Sequence, residues 1–291
     1  MSTQSNPGFV NLGLKLGKDT LMEYINNYGF GTKTGIDLNG EGSGILFDVS
    51  AMGNVELATT AFGQGISVTP IQQVRAVSAV VNGGTLYTPY IVKNFLESET
   101  DTIVKSVEPT AVKEVISPET SKIVRCALES VVAKGSGHNA YIENYRIGGK
   151  TGTAQTVENG VYSDSKYILS FIGFMPADDP EIVVYVAVQN AKNVTQYGGT
   201  VAAPIARNIF LSAIDILDIK PDTEGIPKEY TWLDTKYVII PDVTGSSLEE
   251  ATAALKGFNI EYSGNGNTVV YQSPTGGSYV KEGGTVVLML S

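Results

Sequence analysis

Apolar positions recur at helical spacing through the first half of the chain and change to alternation after Tyr145. Residues 10–16 carry a helical stripe that stops at Gly17, and Asp19 or Thr20 is placed to cap a second helix through Tyr28, with Gly29 as a left-handed stop. Residues 30–38 read as a loop passing into a short extended segment, 39–44 as a glycine-rich turn, and 50–62 as helix ended by the corner Gly63-Gln64-Gly65. Thr69-Pro70-Ile71-Gln72 is a helix start: Thr69 suits the N-cap, Pro70 the first helical position and Gln72 the return bond of a capping box. Val74, Val77 and Val81 continue the stripe to Asn82-Gly83-Gly84. Residues 85–115 are β-branched and alternating around a polar turn at 97–101, the pattern of a peripheral hairpin. Ser117-Pro118 opens another helix, expected to bury Ile123, Ala127, Val131 and Val132 before Gly135-Ser136-Gly137 closes it.

Three strands follow, at 145–157, 168–175 and 182–190, joined by turns at 158–165 and 176–180 that suit antiparallel neighbours. Ala203-Pro204 then begins a long helix through Leu217, with Ile205, Ile209, Ile216 and Leu217 available to cover the sheet. Helices, a meander and a covering helix predict an α+β or α/β fold. Residues 220–235 are polar, contain Pro221 and Pro227, and read as a linker. Beyond it Ser246 and Glu249 form a capping box for a helix ending near Gly257, and strands are expected at 259–263, 269–273 and 285–290. The expected organisation is therefore 1–220, a linker 221–236, and a small unit 237–291.

Composition narrows the function classes. With 20 Lys and Arg against 30 Asp and Glu the 291-residue chain has a formal charge of −10, and no basic cluster that could neutralise phosphates, so a nucleic-acid partner is not expected. One Cys, at 126, excludes an intrachain disulfide, and with one His a zinc site is not expected; nor is any cofactor. No apolar run of span length and no signal peptide stand out, so the chain as given is expected to be soluble.

Two Lys-Thr-Gly triplets carry candidate chemistry. Lys33-Thr34-Gly35 sits in a loop with no strand around it and reads as solvated turn chemistry. Lys150-Thr151-Gly152 lies on an expected strand, preceded by Gly148-Gly149, which let another chain approach the backbone, and followed by Thr153. Locally, an exposed strand lysine and a cleft lysine fit Lys150 equally well. His138 reads as a loop residue, Cys126 as core packing, and Gly29-Phe30-Gly31 lacks the spacing of a phosphate loop.

Lys150-Thr151-Gly152-Thr153 resembles the third motif of penicillin-binding transpeptidases and serine β-lactamases, the K-T-G of the S-x-x-K, S-x-N, K-T-G set. The run from Leu57 through Gly63-Gln64-Gly65-Ile66-Ser67-Val68-Thr69-Pro70 resembles the G-x-G-x-S-V-T-P segment of class B penicillin-binding proteins. Phe171-Ile172-Gly173-Phe174-Met175-Pro176 matches their fourth sheet strand, and residues 240–291 resemble a PASTA module. The chain is most similar to the sporulation-specific branch with one such module.

That resemblance implies serine acyl transfer on the D-Ala-D-Ala end of peptidoglycan stem peptides, in cell-wall and spore-cortex cross-linking, with β-lactams as ligands of the intact protein. It implies that Lys150 supplies positive charge and shuttles protons, and that Thr151 and Thr153 hold the substrate or penicillin carboxylate. Gly152 would belong to a strand that pairs with the substrate, and the N–H near Thr153 would complete an oxyanion hole. Asn6-Pro7-Gly8-Phe9 resembles the close of the second motif, with Asn6 as its asparagine and Gln4 where the family has serine. The nucleophile of S-x-x-K is not expected in this chain. Ser163 to Lys166 is expected in a turn and Ser278 to Lys281 in the PASTA-like unit, whereas the motif must open a helix so that both side chains share a face.

Two readings therefore stand: part of a D,D-transpeptidase without its nucleophile, or an inactive module that binds peptidoglycan or protein. A stand-alone β-lactamase fits less well, because of the PASTA-like tail and the lack of a deacylating glutamate motif. The resemblance further implies two more sheet strands, so the edge at 182–190 is expected to pair with a second copy or with a separately supplied segment. It also implies a membrane anchor, absent here, and a place outside the cytoplasmic membrane.

Overall fold

The computed structural model describes residues 5–158, 161–229 and 236–291. They form two compact units, residues 1–141 with 145–228, and 142–144 with 229–291.

The first unit opens with α1 (Asn6–Leu16) and α2 (Lys18–Asn27), separated by Gly17 alone. Gly17 itself caps α2, at φ 82°, so Asp19 lies in the first turn instead of capping it, where a carboxylate favours the helix dipole. A 3-10 turn, Val49–Ala51, precedes α3 (Asn54–Ala61), which breaks the single helix expected at 50–62. Then comes α4 (Pro70–Val81), whose Thr69–Gln72 capping box is formed as expected. Residues 85–115 make two antiparallel pairs instead of one hairpin. Strand β1 (Thr85–Thr88) joins β4 (Thr110–Glu114), and between them in sequence β2 (Asn94–Leu96) joins β3 (Ile103–Ser106).

Next, α5 (Pro118–Lys134) leads to the main sheet of β5 (Gly148–Glu158), β6 (Val161–Met175) and β7 (Ile182–Gln189), antiparallel in that order. Strand β6 begins earlier than the sequence pattern suggests, so the expected turn at 158–165 is mostly strand. α6 (Gly198–Leu217) packs along β6 and β7. Phe174, Val81, Ala177 and the flanking Val77, Val80, Leu128 and Val183 form a core between the sheet and the pair α4–α5.

Two helix faces differ from expectation. On α5, Ile123 is 70% exposed and Cys126 lies at the surface, while Ser121, Glu129, Val131, Val132 and Ala133 are buried. On α6, Ile205, Ile209, Ile216 and Leu217 face outward, and Ala202, Ala203, Ala206, Phe210 and Ala213 face the sheet. Close approach of a helix to a sheet selects small residues, which raw hydrophobicity ranks below isoleucine. The helix also begins at Gly198 and not at Ala203, so Pro204 is interior. α6 is the one described helix long and apolar enough to cross a membrane, a length and composition the sequence pattern did not single out; its buried residues form one stripe that includes Ala202, Ala206, Phe210 and Ala213.

The glycine pair before Lys150 has a packing role. A Cβ on Gly148 would stand 2.2 Å from Phe174 Cζ, and one on Gly149 2.4 Å from Phe171 Cζ. Gly148 pairs directly with Phe174 across the ladder, so the ring covers the space that glycine leaves. What approaches the backbone here is thus the protein's own aromatic rings.

The second unit contains β8 (Tyr237–Ile239), α7 (Leu248–Ala254), β9 (Asn259–Ser263), β10 (Val269–Ser273), β11 (Tyr279–Lys281) and β12 (Thr285–Leu290). Strand β12 is central, antiparallel to β10 and parallel to β9, while β8 and β11 form a separate pair that the sequence pattern missed. The α7 capping box uses Ser247 and Glu250, one residue beyond the expected Ser246 and Glu249. Its core holds Ile240, Val243, Ala251, Leu255, Val269, Val286, Leu288 and Leu290. Buried Gln272 ties the entering segment down, donating to Pro241 O and accepting from Val243 N–H, both at 2.9 Å.

Candidate active-site strand

Lys150, Thr151, Gly152 and Thr153 lie consecutively on β5, opposite Ile172, Phe171, Ser170 and Leu169 of β6. β5 ladders with β6 on one side only, so among the described residues its other edge has no strand partner. Lys150 is partly buried, and its Nζ donates to Thr151 O at 2.8 Å. Burial holds its ammonium pKa below the ordinary lysine value.

Thr151 is 8% exposed, and its hydroxyl lies 2.9 Å from that of Ser136. Thr153 is exposed, and its hydroxyl accepts from Gly198 N–H at 3.3 Å. A Cβ on Gly198 would fall 2.4 Å from Gly152 O and 2.3 Å from Ser170 O, and one on Gly199 2.3 Å from Ser136 O. Two glycines therefore let the first turn of α6 sit directly against the strand, with Asn139 Nδ2 donating to Gly199 O at 2.8 Å. Three elements meet at Thr151–Thr153: the strand, the segment around Ser136, and the positive end of a 20-residue helix. Hydroxyl donors, a helix N-terminus and a lysine beside an open strand edge can bind an extended peptide and hold its carboxylate.

The other sequence candidates lie on other elements. Asn6 opens α1, is exposed, and belongs to a helix packed on α3 and α2; Gln4 lies outside the described residues. Ser163 and Lys166 lie within β6 and not in a turn, in the stretch where the ladder with β5 shifts register. Lys281 ends β11, with Ser278 just ahead of it. Neither pair opens a helix. His138 starts a 3-10 turn in the loop, its Nδ1 2.9 Å from Gly135 O.

Lys33 is exposed, as expected of turn chemistry, but Thr34 is buried and the loop around it is closed. Glu41 accepts from Thr34 N–H at 2.6 Å, from the Thr34 hydroxyl, and from Gly35 N–H at 3.1 Å. Burial pushes the Glu41 carboxyl upward, and the Thr34 and Gly35 bonds with nearby Lys33 outweigh it and hold the pKa low. Gln72 completes the closure by donating to Thr32 O at 2.7 Å and Ser43 O at 2.8 Å. Sequence reasoning missed Ser136, Gly198 and Gly199; the second glycine doublet was the signal that could have found the α6 contact.

Residues 1–211 match the penicillin binding protein transpeptidase domain, and residues 238–291 match the PASTA domain. The chain belongs to the penicillin-binding protein transpeptidase family. It is 57% identical over 286 residues to stage V sporulation protein D of Bacillus subtilis (strain 168), covering 98% of this chain and 44% of that protein. It is 31% identical to the peptidoglycan D,D-transpeptidase FtsI homolog of Mesostigma viride, covering 79% of this chain and 41% of that one. The chain thus spans less than half the length of these curated relatives. Among solved structures, penicillin binding protein 3 of Mycobacterium tuberculosis complexed with ampicillin superposes with TM-score 0.71 at 26% identity, over 79% of this chain and 53% of that one. The transpeptidase domain of Burkholderia pseudomallei penicillin-binding protein 3 gives 0.65 at 30% identity, over 75% and 63%. The class B penicillin-binding resemblance and the PASTA module read from the sequence are both borne out.

Proposed function

We propose that this chain is the K-T-G side of a peptidoglycan D,D-transpeptidase cleft, acting on stem peptides that end in D-Ala-D-Ala, with β-lactams as competing ligands. The observation that carries it is the open edge of β5 at Lys150–Thr153, backed by the N-terminus of α6. An extended stem peptide adds to that edge through its backbone. Thr151 and Thr153 offer hydroxyls to its carboxylate, Lys150 supplies charge and moves protons, and the Thr153 N–H stabilises the oxyanion. The attacking serine and its lysine come from outside the chain, and Asn6 is the remaining part of the second motif.

The domain division that fits this role is 1–220 for the transpeptidase portion, 221–236 for a linker and 237–291 for the PASTA module. The working place is the outer face of the cytoplasmic membrane, at the cell wall or spore cortex. A second reading, a catalytically inactive module that binds peptidoglycan or protein, is favoured by one observation: neither serine–lysine pair of S-x-x-K spacing opens a helix.

Labelling and binding separate these readings. The chain alone is expected to take up no covalent fluorescent penicillin; a stoichiometric adduct on any of its serines overturns the assignment of the nucleophile to another segment. Titration with an N-acetylated peptide ending in D-Ala-D-Ala is expected to shift the amide resonances of Gly152, Thr153 and Gly198. Shifts confined to residues 238–291, or none at all, remove the cleft assignment.

A further inference from the structure

We infer that the segment Asp222–Ile226 is a strap that locks the base of the K-T-G strand through a buried ion pair. Glu129 on α5 is 3% exposed, and a carboxyl group buried to that degree needs a full set of partners. It has three. Arg146 Nε and Nη2 donate to its two oxygens at 3.0 and 2.9 Å, and Ile226 N–H donates to Oε1 at 3.1 Å. The third donor belongs to a polar, proline-flanked stretch that reads as free linker in the sequence.

Gly225 makes the approach possible. A Cβ there would stand 2.7 Å from Arg146 Cγ and 3.0 Å from Glu129 Oε1. Because the guanidinium is clamped at its far end, the Arg146 stem cannot swing aside. Asp222 adds its carboxylate 3.5 Å from Arg146 Nη1, and Asp178, in the turn between β6 and β7, lies at 3.7 Å from the same nitrogen. The Glu129 hydrogen bonds come first among the causes that hold the Arg146 pKa above its ordinary value.

Arg146 is where the strap meets the active-site strand. Its carbonyl accepts from Ala177 N–H at 2.9 Å, beyond the end of β6, and two residues later β5 begins. The guanidinium, the carbonyl and the start of β5 therefore move as one body. Displacing residues 222–226, through the chain that continues toward the PASTA module, withdraws a donor from Glu129 and loosens Arg146. The first backbone to respond is Gly148–Thr153. The strap thus makes the order of the K-T-G strand conditional on the seating of the linker.

The test is hydrogen exchange on the whole chain, comparing β5 amides that bond to β6 with α4 amides. Gly225→Val inserts a side chain at the close approach, Ile226→Pro removes the donor, and Asp222→Asn weakens the tether without adding bulk. Exposed Thr223→Ala is the control. Each strap variant is expected to speed exchange in residues 148–153, by about tenfold for the first two, with α4 unchanged and the control like the parent. Unchanged exchange at 148–153 overturns the inference. So does an increase that α4 shares equally, since that reports general loss of stability. Should Gly225→Val not fold, Asp222→Asn and Ile226→Pro decide alone. The readout is independent of ligand and of any acylation.

Discussion

Replacing Gly148 by alanine probes how the K-T-G strand is held. The added Cβ would lie 2.2 Å from Phe174 Cζ and 2.7 Å from Cε1, where an ordinary carbon contact is about 3.5–4.0 Å. The ring must therefore shift by well over 1 Å, but it is fully buried, in the cluster of Val81 and Ala177. Overpacking of this kind costs about 1–3 kcal/mol. Alanine also restricts the unfolded chain and returns about 0.4–1 kcal/mol where the backbone tolerates it, as here, since Gly148 is not among the positive-φ residues. The net expectation is a loss of about 1–2 kcal/mol, or about 0.5–1 M in the urea midpoint. Hydrogen exchange of β6 peptides as a function of urea reads the first unit separately from the second.

The cycle with Phe174→Leu tests the cause. Leucine alone leaves a cavity and costs about 1–2 kcal/mol, yet it also vacates the space that the new methyl needs. The double variant is expected to be more stable than the sum of the singles by about 1 kcal/mol. Gly42→Ala, whose Cβ would meet nothing closer than 3.6 Å, is expected to be near neutral. Strict additivity of Gly148→Ala and Phe174→Leu, or a Gly148→Ala variant as stable as the parent, would refute the ring-over-glycine account.

Gln272→Leu removes two buried bonds and leaves Pro241 O and Val243 N–H without partners, so it should destabilise the second unit by about 2–4 kcal/mol. Exchange protection in residues 238–291 would fall while that of α4 would not. Burial depresses the Lys150 pKa, so the unfolded chain binds more protons between the folded and unfolded values. Stability should therefore rise with pH through the window just below the ordinary lysine pKa. Lys150→Met should lack that rise, read as the parent-minus-variant difference in urea midpoint, which removes the shared tyrosine titrations. The edge of β7 is expected to support self-association or pairing with a separately supplied segment. A clean monomer by light scattering across a wide concentration range would count against self-pairing and leave that edge to a separately supplied segment.

Features set by neighbours in sequence were readable in advance. The Thr69–Gln72 start of α4 and the strand character of Lys150–Thr153 depend on local spacing, and both are present. The slip from Ser246 to Ser247 shows the limit of even local rules, since two adjacent serines satisfy the same box and the fold selects one. Features set by distant partners were not readable. Which face of α6 is buried depends on how closely the sheet approaches, and that distance favours alanine over isoleucine. Ser136 becomes a partner of Thr151 only once residues far apart are folded together. Glu129 in a helix and Arg146 before a strand look like ordinary surface charges until they meet.

Gln72 bears on how freely this sequence can drift. Its amide oxygen accepts from Thr69 N–H at 2.9 Å, while its nitrogen serves Thr32 and Ser43 in the closed loop. Glutamate has the reach but no proton to give, asparagine is one bond of about 1.5 Å too short, and leucine or methionine strands all three backbone groups. Among the twenty residues only glutamine meets the three demands, so a saturation library selected for folding should return this position almost unmixed. The exposed Lys33 beside it should come back as nearly any residue.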